Sequence, residues 1–138
     1  MQIGTFQSAL EVPKDKRRYI GRATGTQGQS PLANPYSVAF GREACIKYFK
    51  QYANMIAIDG NSPSLAIQRL GVYTVPGFMP PSRAEFMAEL DALEDDSFLI
   101  CYCYKKEPLT WQGVYSLICH GEVVAGLYEF LKLGGQVE

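Results

Sequence analysis

Charge is scarce in this sequence. Charged residues make up 20% of the 138 and the formal net charge is -1. No global field therefore draws the chain toward DNA, RNA or an anionic membrane. The one basic run, Lys14, Lys16, Arg17 and Arg18 around Asp15, reads as a solvated strand entry, so nucleic acid is not an expected partner. No apolar stretch reaches the roughly 18 residues that a membrane span needs. The opening MQIGTFQSAL lacks a charged leader followed by a long apolar core, which predicts no secretory signal and a cytoplasmic location. In that compartment the four cysteines imply thiols, a metal site or redox chemistry rather than a disulfide framework. Histidine occurs once, as His120.

Hydrophobic residues make up 47% of the chain, enough for one core, and the length suits a single domain spanning 1–138. Residues 2–6 suit a short strand. Residues 17–22, RRYIGR, read as another, with Gly21 marking its end. Residues 23–37 show no period and read as a long loop. In residues 41–55, Cys45, Tyr48, Phe49, Tyr52 and Ile56 recur at helical steps, while Arg42, Glu43, Lys47, Lys50 and Gln51 take the other side. Ser62-Pro63 opens a second helix over 62–70. A short strand is expected at Val72–Val75. Ser82-Arg-Ala-Glu85 is a capping box, and the helix it starts runs to about Leu93 with Phe86, Leu90 and Leu93 inward. The apolar run SFLICYC at 97–103 suits a central strand covered on both faces. Residues 121–133 make a last, largely apolar helix that Gly134-Gly135 ends. Strands alternating with helices predict a single Rossmann-like α/β domain: a small, mostly parallel sheet with helices on its faces. Ligands of such sheets bind beyond the carboxyl ends of the strands.

Two clusters fall there. Side chains alternate along a strand, so Cys101 and Cys103 point to one face, their Cα atoms about 6.6 Å apart. Cys119 and His120 precede the last helix, whose unpaired N–H groups and dipole favour a thiolate. Docked on the strand, that helix would bring three sulfurs and an imidazole together. Such a set admits three readings. It could be small core residues with a helix-capping His, or a tetrahedral metal site of Cys101, Cys103, Cys119 and His120. It could also be a reactive pocket in which Cys103 or Cys119 is the nucleophile and His120 the base. One intervening residue in Cys-x-Cys and the adjacency of Cys119 and His120 fit a zinc site poorly. Cys103–His120 is a better candidate hydrogen-bonded pair than Cys119–His120.

The second cluster is the loop after the 17–22 strand, ATGTQGQSPLANPYS, rich in N–H and hydroxyl donors that can wrap a phosphate. Arg22 could add a bidentate contact. Asn34-Pro35 is a turn whose Asn can bond its own backbone. The helix opening at Gly41-Arg42 offers a further anion-binding terminus, with Arg42 as a candidate ligand-binding residue. No Gly-Lys-Ser/Thr closes the loop, so it is not a P-loop.

Several of these residues form a pattern: Tyr19-Ile20-Gly21-Arg22, Ser30-Pro31-Leu32-Ala33-Asn34-Pro35-Tyr36, Gly41-Arg42, Cys101-Tyr102-Cys103 and Cys119-His120. Over residues 18–131 the chain resembles domain of unknown function 4326, a family of bacteria and their phages. Ala33 stands where the family has Gly and Tyr102 where it has Trp. Residues 104–118 look like an insertion that covers the site. The resemblance implies that Arg22, Asn34, the strand cysteines, Cys119 and His120 belong together, in a bacterial or phage-infected cell. It implies no reaction.

The leading expectation is a pocket for a small anionic ligand, a nucleotide or ribosyl phosphate, held by Arg22, Asn34 and Arg42 beside the Cys/His cluster. The alternatives are a zinc-stabilised accessory protein without enzymatic activity and a phage–host interaction module. The last would present Tyr104, Trp111 and Tyr115 to a protein partner.

Overall fold

The computed structural model describes residues 1–102 and 108–134. Among the described residues four short strands form one sheet: β1 (Gln2–Gly4), β2 (Arg17–Tyr19), β3 (Phe98–Ile100) and β4 (Leu109–Thr110). Four helices accompany them: α1 (Arg42–Ala57), α2 (Pro63–Leu70), α3 (Arg83–Asp91) and α4 (Gly121–Lys132). The sheet order is β2-β3-β1-β4. β3 runs parallel to both neighbours, pairing Leu99 with Arg18 and with Ile3, whereas β4 is antiparallel to β1. The sheet is therefore mixed and open. Its β4 edge lies inside the 104–118 stretch that the sequence reads as an insertion; two residues are too few for a period to show. No strand forms at Val72–Val75: that stretch has no regular structure, and Val75 N donates to the carbonyl of Pro35 instead.

The helix boundaries follow local chemistry. Ser62 Oγ accepts from Leu65 N, and Pro63 occupies the first turn, where a missing N–H costs nothing. Ser82 and Glu85 make both bonds of the capping box. Cys45, Phe49, Tyr52 and Ile56 of α1 are buried as the helical period requires, and Tyr48 is half-buried.

Strand alternation sorts the core into two parts. Ile3, Leu99 and Cys101 join Ile20 and the buried faces of all four helices in the main core. Phe98 and Ile100 point the other way, against Phe6, Ala9, Val12 and Tyr19. Among the described residues the helices thus share one face. The other is covered by the turns of residues 5–12, and not by helices on both faces as the element order suggests. No helix of the described residues is long and apolar enough to cross a membrane.

Helix and sheet approach closely at Gly121, the first residue of α4. A Cβ there would lie 2.9 Å from Ile3 Cγ2 and 3.3 Å from Ile20 Cδ1. Gly121→Ala is expected to destabilise the fold by about 1–3 kcal/mol, the usual cost of overpacking. Equilibrium urea unfolding reads this as a lower midpoint at unchanged slope.

Candidate functional site

β2 and β3 are parallel neighbours, so the chain leaves both at the same edge. Ile20 N donates to the carbonyl of Ile100, 2.9 Å, and extends the pairing one residue past β2. Gly21-Arg22 and Cys101-Tyr102 then part from the sheet side by side. The start of α4 docks on this edge. The Nε2 of His120 lies 2.8 Å from the carbonyl oxygen of Ile20. A carbonyl only accepts, so Nε2 is the protonated nitrogen and Nδ1 carries the lone pair of the neutral ring. Phe49 meets the imidazole edge-on at 5.0 Å between centroids. His120 is buried and does not cap the helix with its side chain, which corrects the helix-capping reading.

Glu122 does the capping. Its carboxylate accepts from Ser116 N and Ser116 Oγ, both at 2.6 Å, from Ile118 N at 2.8 Å and from Cys119 N at 3.1 Å. The side chain is buried, and its charge is met by four donors in place of water. This bracket folds residues 116–119 tightly, with Leu117 at φ 60°. It places Cys119 so that Gly121 N donates to its sulfur at 3.3 Å. Cys119 Sγ then lies 2.8 Å from Cys101 Sγ. That is longer than the ~2.05 Å of a disulfide, and shorter than the ~3.75 Å that two thiolates keep around a tetrahedral zinc with 2.3 Å bonds. Ligand atoms of Cys101, Cys119 and His120 all lie within 4.8 Å of one another, and all three residues are buried. This group could hold a metal ion. Adjacency of Cys119 and His120, which looks awkward in sequence, is no obstacle: the chain turns between them as the helix starts.

Beside the group lies a cavity of 390 Å³ at the carboxyl edge of β2 and β3. Arg22, Asn34 and Arg42 line it together with Cys101 and His120, while Cys119 is not on its wall. Arg22 Nη1 donates to the carbonyl of Tyr36 at 3.2 Å, and Arg42 Nη1 to that of Ile118 at 3.0 Å. Asn34 works as an internal brace. Its Oδ1 accepts from Tyr36 N at 2.9 Å, the turn bond that Asn-Pro predicts, and its Nδ2 donates to Cys45 Sγ at 3.1 Å. Cys45 Sγ in turn donates to the Tyr36 carbonyl at 3.1 Å. The loop at residues 34–36 is so tied to α1. Cys103 lies outside the described residues, as do both pairings expected of it, and so does Tyr104.

Four contributors are absent from the candidates that the sequence suggests. Tyr36 lines the cavity, and its buried hydroxyl finds no hydrogen-bond partner among the described residues. Burial pushes its pKa up to about 12, so it stays a neutral donor at ordinary pH. Tyr19 and Tyr102 also line the cavity and pack with Phe6: Phe6 stacks on Tyr19 at 5.6 Å, and Tyr102 meets both rings at 6.1 and 6.2 Å. Glu122 has a signal that could have found it, since it stands three residues after Cys119, the interval of a capping box. Trp111 and Tyr115 of the 104–118 stretch pack on the main core, where Tyr115 approaches Gly126 of α4 and Lys50 of α1.

Glu122→Ala should lower stability by about 3 kcal/mol, since it strands several donors at once. Glu122→Gln, which keeps an acceptor, should cost less. Chemical denaturation of the two variants against the parent checks the order.

The family model described as Domain of unknown function (DUF4326) matches residues 7–130. No curated protein and no solved structure matches the chain.

Proposed function

Since this chain belongs to the family of domain of unknown function 4326, whose description names no reaction, we propose a function from its own geometry. The protein binds a small phosphate-bearing metabolite, a nucleotide or ribosyl phosphate, in the cavity at the carboxyl edge of β2 and β3. One observation carries this reading. Two arginines from separate elements, Arg22 after β2 and Arg42 at the start of α1, line the same 390 Å³ cavity as His120 and Cys101. That volume lies in the range of small-molecule sites. Guanidinium groups match the oxygen geometry of phosphate, and the N-terminus of α1 adds a favourable dipole. Tyr102, 53% exposed, and Tyr19 offer ring faces to a base, which favours a nucleotide over a plain ribosyl phosphate. For any covalent or acid–base chemistry, the sulfur on the cavity wall is that of Cys101, with His120 beside it; Cys119 stands behind. A thermal-shift screen with inorganic phosphate, ribose 5-phosphate and adenosine 5′-monophosphate tests the reading. Stabilisation that grows from the first to the last, and is weakened at least tenfold in apparent affinity by Arg22→Ala, is the expected result. No shift with any of them would refute it.

A second reading rests on a different observation, the convergence of two sulfurs and an imidazole within 4.8 Å. These soft and borderline donors suit zinc. The Nε2–H of His120 donates to a backbone carbonyl, as metal-bound histidines usually do through their second nitrogen. On this reading the ion ties β3 to α4 and stabilises an accessory protein, with or without catalysis. Purified protein should then carry about one zinc per chain by elemental analysis. Cys101→Ser should abolish that zinc, and a chelator should lower the melting temperature of the parent but not of the variant.

A further inference from the structure

We infer that Tyr19 is a positioning residue for the anion: by bonding the Arg22 carbonyl it fixes the turn that sets Arg22 on the cavity wall. It raises the affinity for phosphate through Arg22 rather than by a contact of its own. The inference rests on the phosphate reading above and adds to that site a residue that acts through another.

The first ground is the fit of three residues, Tyr19, Gly21 and Arg22. The Tyr19 side chain turns back along its own chain, and its hydroxyl donates to the carbonyl of Arg22 three residues on. A Cβ at position 21 would lie 2.5 Å from Tyr19 Oη and 2.6 Å from Tyr19 Cζ. Gly21 is not one of the glycines with positive φ. The tyrosine ring, and not the backbone, therefore requires a glycine there. The second ground is how Arg22 is held. Ser30 N donates to the Gly21 carbonyl at 3.0 Å, which closes the loop just before Arg22. At the far end of the side chain, Arg22 Nη1 donates to the Tyr36 carbonyl at 3.2 Å. The Tyr19 bond fixes the Arg22 peptide between these two anchors. The third ground is the rigidity of Tyr19 itself. It pairs with Ile100 in the sheet. Its ring stacks on Phe6 at 5.6 Å and meets Tyr102 edge-on at 6.2 Å. A phenol so held keeps its hydroxyl on the Arg22 carbonyl. An arginine placed before the ligand arrives loses less rotamer freedom on binding, and the affinity gains accordingly.

The test measures the affinity of the full chain for inorganic phosphate and for adenosine 5′-monophosphate by titration calorimetry. Tyr19→Phe keeps the ring and its packing and removes only the hydroxyl. It should weaken both ligands by about fivefold, the worth of ordering one long side chain. Made on top of Arg22→Ala, the same change should weaken adenosine 5′-monophosphate no further, because nothing is left to position. A hydroxyl with a merely structural role would not produce that non-additivity. Gly21→Ala crowds the hydroxyl off the Arg22 carbonyl; it should reproduce the loss, and it carries the test if Tyr19→Phe does not fold. Unchanged affinity in either folded variant would overturn the inference and leave the phosphate reading standing. Equal losses with and without Arg22 would also overturn it, since Tyr19 would then act on the cavity at large. A parent protein that binds neither ligand would remove the phosphate reading and this inference with it.

Discussion

At the carboxyl edge of the sheet, a helix terminus and two strand ends must share a small volume without stranding their backbone groups. The N-terminus of α4 brings the His120 imidazole, and Ile20 brings a carbonyl past the end of β2. The 2.8 Å contact of His120 Nε2 with that carbonyl joins the two. It sets how far α4 approaches, which is why the next residue is Gly121 with no room for a Cβ. It also selects the histidine tautomer, leaving Nδ1 as the basic nitrogen. The position of Cys119, its closeness to Cys101 and the back wall of the cavity all follow from this docking.

A second constraint keeps the docking exact. Glu122 buries a carboxylate and satisfies it with donors from Ser116, Ile118 and Cys119, shortly before α4. A buried charge tolerates little slack, because losing one donor leaves a large desolvation cost uncompensated. On the opposite side of the cavity, the Asn34 carboxamide and the Cys45 thiol play the same part for the loop after Arg22. Both walls are thus held by short polar networks that rest on helices, α4 for one and α1 for the other. Sites built on such supports keep their geometry better than sites on plain loops.

This division separates residues that support the cavity from residues that can meet a ligand. Asn34, Cys45 and Glu122 are spent on the protein's own backbone and sulfur. Among the described residues Arg22 gives one donor of the five in its guanidinium to a carbonyl, and Arg42 gives one to another. Tyr36 also lines the cavity, with its hydroxyl buried and kept neutral because burial raises its pKa. The aromatic trio of Phe6, Tyr19 and Tyr102 gives the cavity mouth an apolar side.

The sequence by itself determined the local pieces: the four helices, the capping of α2 and α3 by Ser62 and Ser82, the buried character of Phe98–Ile100, and the Asn34 turn. Those depend on periodicity and on bonds between residues a few positions apart, which one strand of text displays. It also determined the family, because Tyr-Ile-Gly-Arg, Asn-Pro and Cys-His recur in a fixed order. Tertiary structure alone decided that β4 exists, that the helices share one face of the sheet, and that His120 reaches the Ile20 carbonyl across 100 positions of chain. It alone also decided that Asn34 braces the loop while Arg22 and Arg42 face one space with Cys101. A two-residue strand has no period to read, and long-range contacts arise from which apolar faces find each other on folding. Their burial is a property of the whole core and is written in no single segment.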